Sequence, residues 1–270
     1  QEQAVLDEFH QAFDASVVVG DITHEFFLRQ LRVERARKIL PLSDNSLRSY
    51  EAASILLNLE PGIGTRIVIH CARLRFMRAM ANTRVARSCE TFNTYHLAAS
   101  GLVRSQMLEH FHETKPKDVV VIAGFGRFGQ TILEELQAHA AGEIAMVVII
   151  EKDAHRRVLV AEEQMAFAGN FRREVYEGDI SNPDIWRSVG EEVELDGNNA
   201  VFVLGTGREE DNLRTAIWIR RQFPESMVIA RSSKRSRFAD EVGRDHGLIS
   251  ISINELVEDN IPRNWIDVDR

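Results

Sequence analysis

A glycine-rich loop is the feature of this sequence whose residue types and spacing could do chemistry. Gly124, Gly126 and Gly129 stand between an apolar run and a segment of good helix formers. The first glycine permits a tight turn, the second lets a pyrophosphate approach the backbone, and the third lets the helix pack closely on the strand. Free N–H groups at the helix start, together with the helix dipole, stabilise an anion. The loop therefore predicts a phosphate-binding site.

Two carboxylates follow at positions where a nucleoside would meet them. Glu151 ends the next apolar run, 27 residues after Gly124. It can accept hydrogen bonds from both ribose hydroxyls and would repel a 2′-phosphate, which favours NAD(H), AMP, ADP or ATP over NADP(H). Alternatively, Glu151 is an ordinary acid at a strand end. Asp179 lies at the sheet edge where such folds bind ligands, or it caps the next helix. Arg127 faces either the anion or solvent.

Groups for acid–base catalysis are not evident around this loop. The sequence has neither a Ser/His/Asp arrangement nor a Tyr-x-x-x-Lys pair, and its nine histidines are scattered. His110 and His112 point to different faces of a predicted helix, which is poor geometry for a metal. We therefore expect a sensor and no enzyme activity, with an NAD-dependent oxidoreductase as the alternative. The acidic runs 209–211 and 162–163 leave a divalent-cation site as a further possibility.

Composition narrows the class of protein. The chain has 270 residues with a net charge of −8, which argues against a nucleic-acid binder because such a protein needs a basic field. Cys71 and Cys89 form no CxxC motif, so a reducing, cytoplasmic setting is expected. No apolar run is long enough for a membrane helix, so a membrane-spanning part, if the protein has one, is a different segment or chain. The uncapped helix predicted over 2–13 indicates a fragment or a missing upstream stretch.

Comparison of the chain with itself reveals a repeat. A Gly-Asp turn, a helix, a strand, a second helix and a second strand occur in the same order twice. Asp21 is the counterpart of Asp179, and only the second copy has a front half with the glycine loop. Short β-branched strands that alternate with helices predict a parallel sheet covered on both sides. The matching segments are 18–23 with 176–181, 38–42 with 200–204, 43–48 with 210–214, and 65–70 with 227–231.

We therefore predict an α/β protein with Rossmann-like, doubly wound parallel sheets in two tandem copies joined by a long helix. The first copy, residues 1–90, comprises only the back half of such a domain. Residues 91–117 form the connecting helix and a linker, because Pro116 discourages helix in the residue before it. Residues 118–270 form the complete nucleotide-binding domain. The apolar stripe of the helix over 91–113 either packs across a partner or only joins the domains.

Five segments together resemble the RCK family, whose domains are also called KTN or TrkA-N domains. These segments are 120–130, 148–153, 177–181 and 210–213, with 19–23 in the half copy. The resemblance implies a regulatory domain on the cytoplasmic face of the cell membrane. Such domains dimerise and assemble into rings that control a potassium channel or a Trk-type uptake system, and ligand binding shifts the ring conformation. A Kef-type potassium efflux system is the alternative, and the pore is either fused to the chain or separate.

Motif positions and the resemblance together give the expected site. NAD(H) is the first expected ligand, AMP, ADP and ATP are alternatives, and some family members also bind a divalent cation such as Ca²⁺. No catalytic or metal-ligating residue is predicted. The missing front half leaves open whether the first copy binds a ligand. The predicted cofactor-binding residues are Gly124, Phe125, Gly126, Arg127, Phe128, Gly129, Glu151, Lys152, Asp153, Gly178, Asp179 and Ile180.

Overall fold

The chain divides into two units between Phe92 and Asn93. The computed structural model of the protein describes residues 16–114, 117–162, 171–195 and 199–266. The helix predicted over 2–13 and the acidic position 163 lie outside the described residues. Each unit is described by itself below.

The first unit combines short helices with two short parallel strands. Val68 pairs with Glu90 and His70 with Phe92, and Ile39 adds an isolated parallel bridge to Ile67. Leucine, isoleucine and cysteine side chains form its core. The elements are α1 Glu25–Gln30, a 3₁₀ turn Val33–Arg35, α2 Ser46–Leu59, a 3₁₀ helix Pro61–Arg66, β1 Val68–His70, α3 Leu74–Ala79, α4 Arg84–Ser88 and β2 Glu90–Phe92.

Three sequence predictions in this unit need correction. The strand expected over 38–42 is reduced to the bridge at Ile39. The strand expected over 65–70 begins only at Val68, because Pro61 at the first helical position opens a 3₁₀ helix that continues to Arg66. Residues 91 and 92 belong to β2 and not to the helix that follows. The order of elements is the predicted one, and descent from a repeat remains a hypothesis.

The second unit contains a six-stranded parallel sheet in the order β5-β4-β3-β6-β7-β8. The order of strands reverses beside β3, so the carboxyl ends of β3 and β6 flank a crevice. Ligands of open α/β sheets bind at such a point. The predicted fold class is confirmed for this unit. The strands are β3 Asp118–Ala123, β4 Ile144–Glu151, β5 Arg172–Glu177, β6 Ala200–Leu204, β7 Met227–Ser232 and β8 Ile249–Ser252.

Helices cover both faces of this sheet. Val120 and Ile122 of β3 pack into one core, and Val121 and Ala123 pack into the other, as the alternation of a strand requires. The helices are α5 Thr94–Leu102, a π segment Val103–Met107, α6 Leu108–Glu113, α7 Arg127–His139, α8 Ala154–Glu162, α9 Pro183–Glu192, α10 Glu209–Gln222, α11 Arg237–His246, α12 Ile253–Asn260 and α13 Arg263–Ile266.

The long helix predicted between the copies packs on the second unit. It runs from Thr94 to Glu113 as α5, the π segment and α6. Its apolar stripe is buried at Leu102, Met107 and Phe111, where it joins the core that also includes α7 and α12. This apolar stripe is therefore buried inside the second unit. Among the described helices, none has both the length and the apolar composition that crossing a membrane requires.

Candidate functional site

A cavity of about 510 Å³ opens at the carboxyl edge of the sheet in the second unit. The loops that follow β3, β4, β5 and β6 form its walls, so it lies where the strand order reverses. Most of the predicted site residues line it, namely Gly124, Gly126, Arg127, Phe128, Glu151, Lys152, Gly178, Asp179 and Ile180.

Three predicted site residues do not line this cavity. The Phe125 side chain is buried in the core, and only its backbone takes part in the loop. Gly129 lies behind the loop, against the backbone of Gly124. The carboxylate of Asp153 faces Arg156 at 3.9 Å. These residues can support the site through the backbone or through packing, and the cavity itself is formed by their neighbours.

The glycines of the loop differ in what surrounds them. Gly124 has φ +101°, and a Cβ there would lie 2.7 Å from the backbone N of Thr206. A Cβ on Gly129 would lie 2.2 Å from the carbonyl O of Gly124. Around Gly126, however, the nearest neighbour of a Cβ is Arg157 Nη1, at 3.6 Å. The first and third glycines are thus required by the backbone, whereas the second leaves open space on the cavity side.

Glu151 is held in place by the glycine loop itself. Its Oε2 accepts a hydrogen bond from the Phe125 N–H at 2.7 Å, and Oε1 accepts one from the Lys152 N–H at 3.0 Å. Arg157 of α8 lies 3.5 Å from Oε1 through its Nε. An ionised carboxylate offers about four lone-pair sites, so Oε2, which accepts one hydrogen bond, can accept another. Glu151 therefore orders the loop and still presents an acceptor to the cavity.

Asp179 forms an ion pair across the cavity mouth with the residue that follows Glu151. Lys152 Nζ lies 2.6 Å from Oδ2, and the Ser181 N–H donates to Oδ1 at 3.0 Å. The hydrogen bond from Lys152, followed by that from Ser181, lowers the pKa of Asp179 to about 2. The alternative that Asp179 caps α9 is wrong, because Asn182 holds the cap position and accepts from the Asp184 N–H.

The counterpart of this aspartate in the first unit makes a similar turn. Asp21 Oδ1 accepts from the Thr23 N–H at 2.9 Å and from Arg48 Nη2 at 2.8 Å. The hydrogen bond from the Thr23 N–H, followed by that from Arg48, lowers the pKa of Asp21 well below its usual range. Asp21 is thus paired with a cation as Asp179 is.

Sequence reasoning missed the far side of the cavity. Gly205, Thr206 and Gly207 follow β6, and small residues directly after a buried strand are a signal that could have identified them. Tyr95 comes from α5, and no local pattern connects it with the loop. The remaining lining residues that were not predicted as site residues are Ile150, Arg157, Arg208, Asp211 and Arg231.

One buried amide holds the loop after β6. Asn212 Oδ1 accepts from the Thr206 N–H at 3.1 Å and from the Thr206 hydroxyl at 2.6 Å. Its Nδ2 donates to the carbonyl oxygens of Thr206 and Arg231. Because Asn212 is fully buried on α10, this network fixes the loop relative to β7.

The cavity carries an excess of positive charge. Lys152 is paired with Asp179, Arg157 with Glu151, and Arg208 with Asp211 at 2.9 Å. Two arginines differ from these in that they lie over aromatic rings. Arg127 Cζ is 5.1 Å from the centre of the Tyr95 ring, and Arg231 Cζ is 5.8 Å from that of Phe128. Within the described part of the chain, neither arginine forms an ion pair, so the cavity suits an anion.

The acidic runs do not form a cation site in the described residues. Glu209 accepts from the Ser233 N–H at 2.7 Å, and Asp211 pairs with Arg208 and with Arg214 at 3.1 Å. No group of three or more His, Cys, Asp or Glu side chains is placed to hold a metal ion in the described ranges. The side chains of the other acidic run, 162–163, lie outside the described part of the protein.

Comparisons with known proteins agree with this architecture. Residues 120–250 match the TrkA-N domain family. A crystal structure of GsuK bound to ADP has a TM-score of 0.57 at 16% identity, covering 90% of this chain and 55% of that chain. The GsuK RCK domain has a TM-score of 0.56 at 14% identity, covering 96% of this chain and 69% of that one. A structure of the GsuK channel gives 0.55 at 17% identity, covering 91% and 55%.

These structural likenesses show the fold. The chain spans about 55% of the length of the GsuK bound to ADP and of the GsuK channel. No curated protein matches the sequence.

Proposed function

We propose that this chain binds an adenine nucleotide and thereby regulates a potassium-conducting pore. The match of residues 120–250 to the TrkA-N domain family supports this proposal. The observation that carries the proposal is the cavity at the strand-order reversal, with the glycine loop on one wall and two arginines without ion pairs among the described residues. One of the neighbouring folds, GsuK, is known bound to ADP. ADP, already among the ligands expected from the sequence, is therefore tested beside NAD(H), AMP and ATP.

Each part of such a ligand finds a matching group in the cavity. The volume of about 510 Å³ falls in the range of small-molecule sites. Open space at Gly126 and the N-terminus of α7 suit the phosphates. Glu151 offers a carboxylate oxygen to the ribose, because its hydrogen bonds from the Phe125 and Lys152 N–H groups leave lone pairs free.

The ribose assignment predicts discrimination against a 2′-phosphate. We expect NADH to bind at least about 10-fold more tightly than NADPH, because the Glu151 carboxylate repels a second anion beside it. In Glu151→Gln the amide oxygen can still accept the Phe125 N–H, but the charge is gone, so the ratio should fall toward one. Isothermal titration of both proteins with ADP, ATP, AMP, NADH and NADPH measures this.

The same titration tests the proposal as a whole. Binding of ADP, AMP or NADH by the wild type is the expected result, and a wild type that binds none of the five would refute nucleotide sensing. An unchanged NADH to NADPH ratio in Glu151→Gln would refute only the role of Glu151.

The charge state of the cavity supports regulation over catalysis. Glu151 and Asp179, carboxylates of the cavity that could transfer a proton, are both held by hydrogen bonds and cations. With its pKa lowered to about 2, Asp179 stays ionised at neutral pH and is a poor general acid. An NAD-dependent oxidoreductase would need such a group beside the nicotinamide.

A structural change caused by ligand binding can be transmitted to the rest of the second unit through α5. Tyr95 of α5 lines the cavity and lies under the Arg127 guanidinium, so a ligand that attracts Arg127 also changes the contact with this helix. A ligand shifts a conformational equilibrium only by its difference in affinity for the two arrangements, typically about 1–3 kcal/mol. Several such sites in a ring of subunits on the cytoplasmic face of the membrane would give steep control of the pore, fused or separate.

Self-association is supported by an apolar surface on α10 and α11. Phe238 of α11 is 68% exposed, and a groove of about 410 Å³ beside it is lined by Leu213, Ile217 and Val242. Exposed apolar patches of this kind mark contact surfaces. A second copy of this chain is the proposed occupant.

Replacing Phe238 with glutamate should reduce the molar mass of the assembly. A charge cannot be buried in an apolar contact without a partner, so we expect the largest species in light scattering after size exclusion to be lost. Phe26→Glu, which changes a phenylalanine 74% exposed on the first unit, is the matched control and should keep the wild-type mass. Equal masses for the wild type and Phe238→Glu would contradict the assignment.

A further inference from the structure

Arg231 is a half-buried cation for which the described residues supply no charge partner. It lies near the end of β7 on the cavity wall, with its guanidinium beside the Phe128 ring. Its Nη1 donates to the carbonyl oxygens of Gly205 and Thr206, both at the long distance of 3.3 Å. Its Nε is buried and has no hydrogen-bond partner among the described residues. A buried donor without a partner is costly, and such groups in native structures call for an explanation.

The position of Arg231 in the sheet indicates what would approach it. Glu151 is the last residue of β4, whereas Arg231 belongs to β7, on the other side of the crevice between β3 and β6. The glycine loop after β3 lies between them. A nucleotide whose ribose contacts Glu151 and whose first phosphates lie over Gly126 would therefore direct its last phosphate toward Arg231.

A phosphate at this place would satisfy the guanidinium. Arginine donates through a planar fork that matches phosphate oxygens, and such charge-assisted bonds are about twice as strong as neutral ones. In a nucleoside monophosphate the single phosphate is the one placed over Gly126, so none is left for the far side of the crevice. A dinucleotide such as NAD reaches it with a second ribose instead of a free phosphate.

We propose that Arg231 recognises the terminal phosphate of a nucleoside di- or triphosphate, so that the site prefers ADP and ATP to AMP and to NAD(H). This inference rests on the proposed function and specifies its ligand. Arg208 is not assigned this role, because its guanidinium is already paired with Asp211 at 2.9 Å.

Titration calorimetry with ADP and AMP tests the assignment. We expect Arg231→Met, which keeps an aliphatic contact with Phe128, to weaken ADP binding by about 10- to 100-fold and AMP binding by less than about 3-fold. The matched control Arg235→Met removes an arginine that does not line the cavity and that is paired with Glu255 at 3.0 Å, so both affinities should change by less than about 3-fold.

A variant that keeps the charge distinguishes loss of phosphate recognition from loss of the fold. Arg231→Lys retains the cation without the planar fork, and we expect it to lose roughly 3- to 10-fold in ADP affinity with AMP binding unchanged. Its thermal unfolding should match the wild type within a few degrees.

Several outcomes would overturn the inference. It fails if Arg231→Met and Arg231→Lys weaken ADP and AMP by the same factor, since the arginine would then act only on the fold. It also fails if ADP binding is unchanged, or if the wild type binds AMP or NADH as tightly as ADP. In these cases nucleotide binding itself stands, whereas a wild type that binds no adenine nucleotide refutes the proposed function together with this inference.

Discussion

Gly126→Asp is expected to abolish nucleotide binding, with the affinity for ADP falling at least about 100-fold, while the second unit keeps its fold. The added side chain has room, because the nearest atom to a Cβ at this position is Arg157 Nη1 at 3.6 Å. Gly126 is also the N-cap residue of α7, where aspartate is favoured and interacts well with the helix dipole. The carboxylate would therefore stabilise the helix and occupy the place of the ligand's phosphates.

The control for this variant is Gly142→Asp. A Cβ at Gly142 has no neighbour within 4 Å, and the residue lies in the turn between α7 and β4, away from the cavity lining. Both variants add one negative charge to the same unit, so only the position differs. Calorimetry with ADP should show binding by Gly142→Asp and none by Gly126→Asp. If Gly126→Asp bound ADP with the wild-type affinity, the assignment of the phosphates to this loop would be wrong.

Gly129→Ala should destabilise the second unit by at least about 2 kcal/mol, because one methyl group must displace backbone. A Cβ there would lie 2.2 Å from the Gly124 carbonyl oxygen and 3.0 Å from Ile122 Cγ2. Neither the strand end nor the first turn of α7 can move away cheaply, since Gly124 is held at φ +101° and its N–H donates to the Ile150 carbonyl at 2.8 Å.

Gly190→Ala in α9 provides the comparison. A Cβ at Gly190 meets nothing within 4 Å, so the substitution should stabilise the helix by about 0.5–1 kcal/mol. Denaturant unfolding followed by tryptophan fluorescence reads out the correct unit, because all three tryptophans of the chain, Trp186, Trp218 and Trp265, belong to it. Equal midpoints for the two variants would mean that the loop can relax around Gly129.

The glycine loop could be predicted because its determinants are local. A buried strand, a turn with special backbone requirements and a helix start follow one another within a few residues, and Gly124 and Gly129 have the predicted roles in turn and packing. The parallel sheet was predictable for a similar reason, since apolar strands alternate with helices along the chain.

The far wall of the cavity could not be predicted in this way. Tyr95 and Arg231 are separated by much of the sequence. The order of strands brings Arg231 to the cavity, and the packing of α5 in the core that includes α7 brings Tyr95 there. Ion pairs are equally hidden: nothing in the sequence shows that Lys152 meets Asp179 or that Arg231 meets no carboxylate among the described residues. Burial and pairing decide which charges are available to a ligand, and both are properties of the fold.

The hydrogen bond from the Phe125 N–H to Glu151 means that one carboxylate affects the binding of both the ribose and the phosphates of a nucleotide. The same side chain orders the loop that would meet the phosphates and offers the acceptor that would meet the ribose. Adenosine and pyrophosphate supplied as separate fragments would therefore not bind independently of each other. The affinity for one fragment would change when the other is bound, because each fragment changes the environment of Glu151 for the other.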